Sequence, residues 1–416
     1  MNATVAELTI ERLATGGEGV ARHDGMAVFV PRTAPGDRVR ARLDVRRRFA
    51  RGTLEEILSP SSLRVTPPCA HYRVDRCGGC QLQHIAYSAQ LEAKSGIVRD
   101  ALTRIGKRGV EPPAVEPSDR EWRYRRKLTL AMRRRPGGAW VIGLHPYDDP
   151  VGVFQLDDCA ITDERVVATW HEIMKAHESF PESDELRASV RLVDGGAAIV
   201  MDGGDRWNEA QRSRFFDAVP SASALWWKAS GRPRALVAER GAAPAGASFA
   251  QINEGVAASL HAHVLGRARA HSPASVVDAY AGIGTTAVPL AKDGARVVAI
   301  ELDRDAAALC ASRLPAGSRA VVGRVEDMLA RALPADVVLV NPPRSGVDER
   351  VTTILEQVAD APRAVVYVSC DPATLARDVA RLPRYRIASL RAFDMFPQTA
   401  HVETVCELVP DGERAA

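Results

Sequence analysis

The sequence predicts a protein of three domains: an N-terminal small β-barrel of the OB-like type, a central α+β domain, and a C-terminal α/β domain with a doubly wound parallel sheet. Short alternating strands separated by turns fill residues 1–58, and a mixture of strands and helices fills residues 59–244. Over residues 245–416, Val-rich strands alternate with helices. The length of 416 residues is sufficient for two or three domains.

Composition narrows the class of protein. Hydrophobic residues make up 46% of the chain and charged residues 26%, which is typical of a folded soluble protein and excludes a fully disordered or collagen-like chain. The 55 Lys and Arg residues against 52 Asp and Glu give a net charge of +3, which neither requires nor excludes a nucleic-acid partner. The N-terminus lacks the apolar core of a signal peptide, and no apolar run approaches about 18 residues. We therefore expect a cytoplasmic protein with no membrane partner. We also expect it to act as a monomer.

The first 58 residues contain the turn-separated strands expected of a small barrel. VAELTIER alternates between apolar and polar residues, MAVFVP follows as a second strand, and RVRARLDV alternates again with a polar face made almost wholly of arginine. Arg46, Arg47, Arg48 and Arg51 continue this charge at the edge. Such a run forms either a solvated edge or a surface for nucleic acid, and the sequence leaves both open.

A strongly basic stretch distinguishes the central domain. Residues 120–135 hold eight Lys or Arg and one Glu, a local net charge of +7, with Trp122 and Tyr124 between the cations. Strand alternation places three of the cations on one face: Arg123, Arg125 and Lys127. Cations beside aromatic rings suit phosphates and unstacked bases, whereas an edge strand charged against aggregation needs no aromatic residues. The stretch therefore favours a nucleic-acid partner.

In an open α/β sheet, ligands bind beyond the carboxyl ends of the strands, and the third domain has polar residues at those ends. The first strand ends at Asp278 and leads into a loop with Gly282 and Gly284, where the missing side chains let the backbone approach a ligand. The second strand ends at Glu301, a carboxylate placed to accept hydrogen bonds from ribose hydroxyls. The loop lacks the third glycine of a dinucleotide site, so a nucleoside ligand such as S-adenosylmethionine fits better.

Two further strand ends provide candidate catalytic groups. Cys370 follows a Val-rich strand, at the start of a helix whose N-terminus is expected to lower the thiol pKa. A cysteine at this edge is a candidate nucleophile. Glu403 in the late strand HVETV is either a paired structural charge or a general acid or base. Cys310 and Cys406 lie within predicted elements, and we interpret them as inert buried thiols.

Five motifs together resemble the RNA 5-methyluridine methyltransferase family. They are CGGCQLQH at 77–84, DAYAGIGT at 278–285, NPPRSG at 341–346, YVSCDPATLARD at 367–378 and FDMFPQTAHVETV at 393–405. The N-terminal segment resembles the TRAM β-barrel that many members carry, and the third domain resembles the class I methyltransferase sheet of the family. The resemblance covers nearly the whole chain.

The resemblance implies methyl transfer from S-adenosylmethionine to carbon 5 of a uridine in structured RNA. In this mechanism the Cys370 thiolate adds to carbon 6 of the ring, carbon 5 attacks the methyl donor, and Glu403 removes the carbon 5 proton. The target base must leave its stack to reach the site. The TRAM segment together with the upstream cysteines resembles the branch that modifies 23S ribosomal RNA, and transfer RNA is the alternative substrate.

The resemblance also implies the binding residues. The cofactor positions match Gln251, Asp278, Tyr280, Gly282, Gly284, Thr285, Glu301, Asp327 and Asn341. The RNA-facing positions match Phe249, Gln251, Asn341, Arg344, Arg123, Arg125 and Arg126. Most of these residues belong to the third domain, and the last three belong to the basic stretch.

The remaining four cysteines match the iron–sulfur ligands of the family. Seven cysteines in 416 residues are too few for a disulfide scaffold and favour metal binding or nucleophilic roles. Cysteine spacing alone suits either tetrahedral zinc or a 4Fe–4S cluster. The resemblance favours the 4Fe–4S cluster, with the ligands Cys69, Cys77, Cys80 and Cys159. The spacing from Cys69 to Cys77 is wider than is usual in the family.

Asn341 departs from the family, which usually has an Asp there to accept the N3 proton of uracil. An Asn amide can accept this proton through its oxygen or, turned over, can donate to N3 of cytosine. Methylation of cytosine at carbon 5 therefore stays open. Asn-Pro-Pro also occurs in methyltransferases of exocyclic amines, although these need neither Cys370 nor Glu403. A non-catalytic RNA-binding protein is the remaining alternative.

Overall fold

The computed structural model describes residues 4–193, 195–241 and 252–412. Its strands form three sheets, of six, seven and eight strands. Two predicted binding residues, Phe249 and Gln251, lie outside the described residues.

The first unit is a sheet of short strands around one small core. Its strands are β1 (Thr4–Thr9), β2 (Arg12–Leu13), β3 (Gly19–His23), β4 (Met26–Val30), β5 (Arg38–Val45) and β6 (Phe49–Ser59). They pair in the order β1-β5-β6-β4-β3-β2, with β4 and β6 parallel and the other pairs antiparallel. Alternation places Val39, Ala41 and Leu43 of β5 in the core. The arginines of β5 point outward and pair with glutamates of β1 and β6.

The chain from 59 to 244 contains both helices and strands. The elements are α1 (Ala70–Arg73), α2 (Tyr87–Arg104), β7 (Val115–Glu116), β8 (Lys127–Arg134), β9 (Trp140–Leu144), β10 (Phe154–Gln155), α3 (Glu164–Lys175), β11 (Glu185–Val193), β12 (Gly196–Asp202), α4 (Glu209–Asp217), β13 (Ala222–Lys228) and β14 (Ala235–Glu239). Seven of the strands form the sheet β10-β9-β8-β11-β12-β13-β14. Helices α3 and α4 pack on one face of it and bury a core that includes Trp170, Val190 and Phe215.

The third unit alternates strands and helices. Its elements are α5 (Glu254–Arg269), β15 (Ser275–Ala279), α6 (Ala287–Lys292), β16 (Arg296–Glu301), α7 (Arg304–Arg313), β17 (Arg319–Val322), α8 (Val325–Ala332), β18 (Val337–Val340), α9 (Glu349–Gln357), β19 (Ala364–Ser369), α10 (Pro372–Ala380), β20 (Tyr385–Phe393) and β21 (Glu403–Pro410). The sheet order is β17-β16-β15-β18-β19-β21-β20-β7, parallel from β17 to β19 and antiparallel on either side of β21. Helices cover both faces, so the Val-rich strands are buried on both sides. The predicted doubly wound α/β sheet is confirmed.

Part of the central segment packs with the third unit. Helix α2 buries Val98, Ala101 and Leu102 against that unit, where its main contact is α10. Strand β7 pairs with the end of β20, so the predicted final hairpin of β20 and β21 is extended by one short strand. The domain boundaries at residues 58 and 244 stay predictions. Contacts across the second boundary join the central unit to the third unit beside the site described below.

Helix α2 also holds the segment 394–402, which joins β20 to β21. The Lys94 ammonium pairs with the Asp394 carboxylate, and both side chains are fully buried. Gln90 donates to the Gln398 side chain at 2.9 Å and accepts from the Gln398 backbone N–H at 3.1 Å. Buried polar contacts from one helix therefore fix the position of this segment.

We expect Lys94→Met to destabilise the fold by about 3–5 kcal/mol, because it leaves the Asp394 carboxylate buried without its cation. The double variant Lys94→Met/Asp394→Leu replaces the pair by apolar side chains and should recover most of this loss. Urea unfolding followed by circular dichroism measures the difference. Equal stability of the single variant and the wild type would contradict the buried ion pair.

Candidate active site

The glycine loop after β15 has the left-handed backbone that its sequence favours. Tyr280, Gly282 and Gly284 have φ angles of +65°, +55° and +84°. A Cβ atom on Gly284 would lie 2.7 Å from the Cys310 sulfur, so packing against α7 requires this glycine. Gly282 donates its backbone N–H to the Glu301 carboxylate at 2.8 Å, which joins the ends of β15 and β16.

A cavity of about 550 Å³ opens beyond the carboxyl ends of β15, β16 and β18. Six of the predicted cofactor residues line it: Asp278, Tyr280, Gly282, Thr285, Glu301 and Asn341. Of the described residues predicted for this site, Gly284 and Asp327 lie outside the lining. The Asp327 carboxylate instead pairs with Arg350 of α9 at 2.8 Å. The cavity is therefore the candidate cofactor site, and Asp327 is engaged elsewhere.

The two carboxyl groups of the cavity are in different environments. Burial raises the pKa of Asp278 to about 7, although the Thr286 hydroxyl donates to it at 2.5 Å. Glu301 accepts the backbone N–H groups of Gly282 and Asp303, one on each oxygen and each at 2.8 Å. Each carboxylate oxygen keeps a further lone pair, so Glu301 can also accept from ribose hydroxyls.

Helix α5 contributes cavity residues that cannot be predicted from the positions of the strand ends. Glu254 and His261 line the cavity from one face of the helix, two turns apart. Burial lowers the pKa of His261. Ala257 and Ala258 lie between them on the same face, and this i, i+3, i+4, i+7 spacing is the sequence pattern that would have indicated the helix.

One strand pairing makes the candidate nucleophile and the candidate base neighbours. β21 runs antiparallel to β19, with Ser369 opposite Thr404. This register places Cys370, one residue past β19, beside Glu403, the first residue of β21. The pair stands next to the cofactor cavity, because Val368 of β19 lines that cavity.

Burial is the main influence on the pKa of both groups. It raises the pKa of Glu403 to about 7, and it raises the pKa of Cys370, which the Glu403 charge raises further. Arg344, from the loop after β18, lowers both pKa values and hydrogen-bonds the thiol. The prediction that the start of α10 lowers the thiol pKa is therefore wrong in its net result, because burial and the neighbouring carboxyl outweigh the favourable charges.

The basic stretch does not form the predicted strand face. β8 begins only at Lys127, and Arg123 has a left-handed φ of +54°. The Arg123 guanidinium pairs with both carboxylate oxygens of Asp158 at 2.7 and 2.8 Å, and its contact with RNA stays a prediction. Arg126 forms an ion pair with Glu254, which connects the central unit to α5 beside the cavity.

The aromatic residues of this stretch are packed inside the protein. Tyr124 is 4% exposed, and its hydroxyl donates to the Pro397 carbonyl oxygen at 2.9 Å. Trp122 packs against the central core. The interpretation of Tyr124 as a base-stacking residue is therefore wrong, whereas that of Trp122, which is half-buried, stays a prediction. Arg125 is half-buried and close enough to the reaction centre to lower the pKa of His401.

The four cysteines predicted as metal ligands come together. Cys69, Cys77, Cys80 and Cys159 line one cavity of about 170 Å³, together with residues of α1 and β8. Burial raises the pKa of Cys77 to about 11 and also raises that of Cys159. Within the described ranges, no three His, Cys, Asp or Glu side chains converge on a single metal-ion position. The four cysteines therefore share one cavity, although the described residues do not form an ion site.

Two parts of the chain match known protein families, and full-length relatives resemble the whole of it. Residues 306–409 match the tRNA (Uracil-5-)-methyltransferase family, and residues 1–54 match the TRAM domain. An RNA methyltransferase of Thermosynechococcus vestitus is 32% identical to this chain, over 97% of each protein. The 23S rRNA (uracil(1939)-C(5))-methyltransferase RlmD of Dechloromonas aromatica is 30% identical, over 95% of this chain and 98% of its own. The structure of the Pyrococcus abyssi tRNA (uracil-54, C5)-methyltransferase, solved with S-adenosyl-L-homocysteine, shares the fold with a TM-score of 0.69 and 24% identity, over 97% of this chain and 100% of that one.

The fold and the cavity define a class I methyltransferase that uses S-adenosylmethionine. More particularly, the chain belongs to the RNA (uracil-5-)-methyltransferase family and carries the N-terminal TRAM domain. The family resemblance of the five motifs is thereby confirmed. None of the helices within the described residues is long and apolar enough to cross a membrane.

We expect Glu403→Gln to stabilise the protein at pH 8 by about 3 kcal/mol, because each pKa unit between the ordinary value of 4.5 and the folded value of about 7 corresponds to about 1.4 kcal/mol. The pKa of Glu403 rises from an ordinary 4.5 to about 7 on folding, so the wild type loses stability as the pH rises between these values. The Gln variant does not titrate and escapes this loss. Denaturant unfolding at pH 4.5 and at pH 8 measures the difference in stability between the wild type and the Gln variant. The two proteins should be equally stable at pH 4.5. A stability difference that does not change with pH would contradict the buried carboxyl.

Proposed function

We propose that this enzyme methylates carbon 5 of a uridine in 23S ribosomal RNA through a covalent adduct on Cys370. The observation that supports this mechanism is the adjacency of a thiol and a carboxyl, Cys370 and Glu403, at the edge of the sheet that also forms the 550 Å³ cavity. Methyl transfer to an exocyclic amine needs neither group. The nucleophile and base therefore favour carbon 5 of a pyrimidine.

Carbon 5 of uracil is a weak nucleophile, and addition of a thiolate overcomes this weakness. The Cys370 sulfur forms a bond to carbon 6, and the electron pair of the 5,6 double bond becomes that of an enolate. Carbon 5 then forms a bond to the methyl group of S-adenosylmethionine, and S-adenosylhomocysteine is the leaving group. Glu403 removes the carbon 5 proton, the double bond forms again, and the thiolate leaves.

The charge of Arg344 acts on both catalytic groups, Cys370 and Glu403. Its guanidinium hydrogen-bonds the thiol of Cys370 and favours the thiolate, which burial and Glu403 oppose. Glu403, with a pKa of about 7, exchanges its proton near neutral pH, as a general base requires. When Glu403 has lost its proton, its negative charge disfavours the Cys370 thiolate. The Arg344 cation is therefore needed to stabilise the two negative charges together.

The methyl donor fits the cavity at the ends of β15 and β16. Glu301 has spare acceptor capacity for ribose hydroxyls, and the turn that contains Tyr280 and Gly282, both with left-handed φ angles, lines the same cavity. Asp278 stands at the same edge with a raised pKa. When bound, S-adenosylmethionine supplies the electrophilic methyl group.

We further propose that Cys69, Cys77, Cys80 and Cys159 hold a 4Fe–4S cluster rather than a zinc ion. Zinc requires four sulfurs at about 2.3 Å from one point. The four described cysteines line one cavity of about 170 Å³, and at this site it is the resemblance to the iron–sulfur members of the family that favours the cluster over zinc. Four thiolates are the usual ligand set of a 4Fe–4S cluster, which when bound would cross-link the start of α1, the loop that follows α1 and the loop of Cys159. Methyl transfer changes no oxidation state, so the proposed role of the cluster is structural.

The choice of RNA and base is supported by the relatives and by Asn341. RlmD, whose printed substrate is uracil in 23S rRNA, is 30% identical over nearly the full length. The transfer RNA enzyme of Pyrococcus abyssi, at 24% identity, supports the fold alone. The side-chain oxygen of Asn341 can accept the N3 proton of uracil, which is compatible with uridine. We place the reaction in the cytoplasm and propose that a monomer performs it.

Nucleotide-resolution mass spectrometry of RNA tests the proposed function. Cells that lack the gene should lose 5-methyluridine at one position of 23S ribosomal RNA. The wild-type gene should restore it and Cys370→Ala should not, because the variant has no nucleophile. Arg319→Ala, at the start of β17 and thus at the opposite end of the sheet, is the control that should restore methylation. A lost methyl group on transfer RNA, on cytosine or on an amine would contradict the proposal.

Metal analysis tests the cluster separately. Protein purified without oxygen should contain about four iron and four acid-labile sulfide per chain. Cys80→Ser should lose most of both, because it removes one of four ligands. Cys370→Ser, whose thiol lies outside the cysteine cavity, should retain them. One equivalent of zinc and no iron in the wild type would contradict the 4Fe–4S proposal.

A further inference from the structure

The motif YVSCDPATLARD ends in a buried carboxylate that no step of the proposed reaction uses. Asp378, the last residue of the motif, lies on α10 and is 0% exposed. Tyr367, the first residue of the motif, donates its hydroxyl to Asp378 at 2.7 Å. Burial and then the Asp378 charge raise the pKa of Tyr367, so the hydroxyl keeps the proton that it donates. A buried carboxylate is costly unless donors and cations compensate for it, so the partners of Asp378 indicate its role.

The two carboxylate oxygens of Asp378 face different parts of the fold. One oxygen accepts the Tyr367 hydroxyl and the backbone N–H of Val347, the latter at 3.0 Å. The other oxygen pairs with the Arg377 guanidinium at 2.8 Å, and the Arg381 guanidinium lies 3.6 Å from it. All four partners are donors, which suits a carboxylate because it only accepts. Asp378 therefore joins α10, β19 and the loop between β18 and α9.

The loop between β18 and α9 presents Arg344 on a tight turn. The Gly346 backbone N–H donates to the Pro343 carbonyl oxygen at 2.8 Å, so Arg344 and Ser345 are the two central residues of a β-turn. We call residues 343–346 the arginine turn. Arg344 is exposed, and the direction in which its long side chain leaves the backbone depends on the position of this turn.

Two adjacent residues of α10 hold the second half of the arginine turn. Arg377 donates a guanidinium N–H to the Ser345 carbonyl oxygen at 2.8 Å, and Asp378 accepts the backbone N–H of Val347. Gly346, between these two contacts, has a left-handed φ of +76°. A Cβ atom there would overlap the Arg377 guanidinium and the Asp378 carboxylate, so the close approach to α10 requires glycine.

The same helix fixes the candidate nucleophile. Cys370 directly precedes Asp371, whose side chain caps the start of α10 by accepting the N–H groups of Ala373 and Thr374, each at 2.9 Å. Asp378 lies seven residues after Asp371, which is about two helical turns. One helix therefore sets both the thiol at its start and the arginine turn along its side.

We propose that Asp378 is a positioning residue for the reaction centre. Together with Arg377 it holds the arginine turn, so that the Arg344 guanidinium stays beside the Cys370 thiol and the Glu403 carboxyl. Asp378 thus acts through Arg344 and not on the substrate. The proposal rests on the proposed function, because the thiolate that Arg344 favours is the nucleophile of that mechanism. A carboxylate that served only to stabilise α10 would bond to its own helix, whereas Asp378 also bonds to a loop and a strand.

The pH dependence of Cys370 alkylation tests the proposal on the protein alone. Iodoacetamide reacts with the thiolate, so the midpoint of the alkylation rate against pH reports the thiol pKa. Glu403 and Arg344 are the charged side chains that shift this pKa. We expect Arg344→Ala and Asp378→Asn each to raise the midpoint by about one pH unit, because the cation beside the thiol is lost or displaced. Peptide mass spectrometry distinguishes Cys370 from the other cysteines.

The double variant Arg344→Ala/Asp378→Asn separates positioning from a general loss of structure. Because Asp378 acts through Arg344, the double variant should have the same midpoint as Arg344→Ala alone. Asp336→Asn is the matched control. The Asp336 carboxylate also accepts two backbone N–H groups and pairs with an arginine, Arg363 at 2.7 Å, but it lies at the other end of β18. This control should lower the melting temperature and leave the midpoint unchanged.

Arg377→Ala is a milder variant that tests the same contact if Asp378→Asn does not fold. It removes a half-buried side chain together with its bond to the Ser345 carbonyl oxygen, and it should shift the Cys370 midpoint in the same direction. In methylation assays at pH 7, a midpoint raised by one unit should lower kcat about tenfold. The ratio of variant to wild-type kcat should rise toward one as the pH increases, because the thiolate then forms without the cation.

The outcomes separate this proposal from the proposed function. A wild-type midpoint in folded Asp378→Asn, or in Arg377→Ala if the first variant does not fold, would overturn the positioning role. An effect of Asp378→Asn that persists in the Arg344→Ala background would also overturn it. Methylation that depends on Cys370 would then still support the proposed function. Midpoints that shift as expected, in an enzyme whose methylation does not depend on Cys370, would retain the positioning role and overturn the mechanism.

Discussion

The antiparallel pairing of β21 with β19 is the constraint on which the reaction centre depends. Cys370 and Glu403 belong to different motifs and become neighbours because Ser369 pairs with Thr404. Both are half-buried at this edge, and removal from water raises both pKa values. Arg344, from a third strand end, lowers both pKa values. Three side chains from three neighbouring strand ends therefore act as one electrostatic unit.

The segment that leads into β21 is held by parts of the chain that are distant in sequence. Helix α2 supplies the buried pair of Lys94 with Asp394 and the double hydrogen bond of Gln90 with Gln398. The central unit adds the bond from Tyr124 to the backbone of the same segment. The segment that precedes the catalytic carboxyl is thus held by hydrogen bonds and an ion pair from α2 and the central unit.

The sequence predicts well those features that depend on residues close to one another in the chain. Short sequence patterns, each covering one strand and the helix that follows it, are enough to predict the strand ends and the glycine loop. They also predict that the thiols of Cys310 and Cys406 are buried, and both are fully inaccessible to solvent. What it predicts badly depends on distant partners. Arg123 and Tyr124 suggest an RNA surface only if strand alternation extends through them, but β8 starts later and both are engaged by other segments. The pKa of Cys370 likewise depends on Glu403, which no local pattern can place.

RNA that carries 5-fluorouridine at the methylated position provides the most direct measurement of the covalent mechanism. The fluorine cannot be removed as a proton is, so Glu403 cannot complete the reaction after methyl transfer. Thiolate addition predicts a protein–RNA adduct that survives denaturation, contains the transferred methyl group, and maps by mass spectrometry to Cys370. The absence of any adduct, with an RNA whose normal uridine form the enzyme methylates, would contradict addition of a thiolate to the ring.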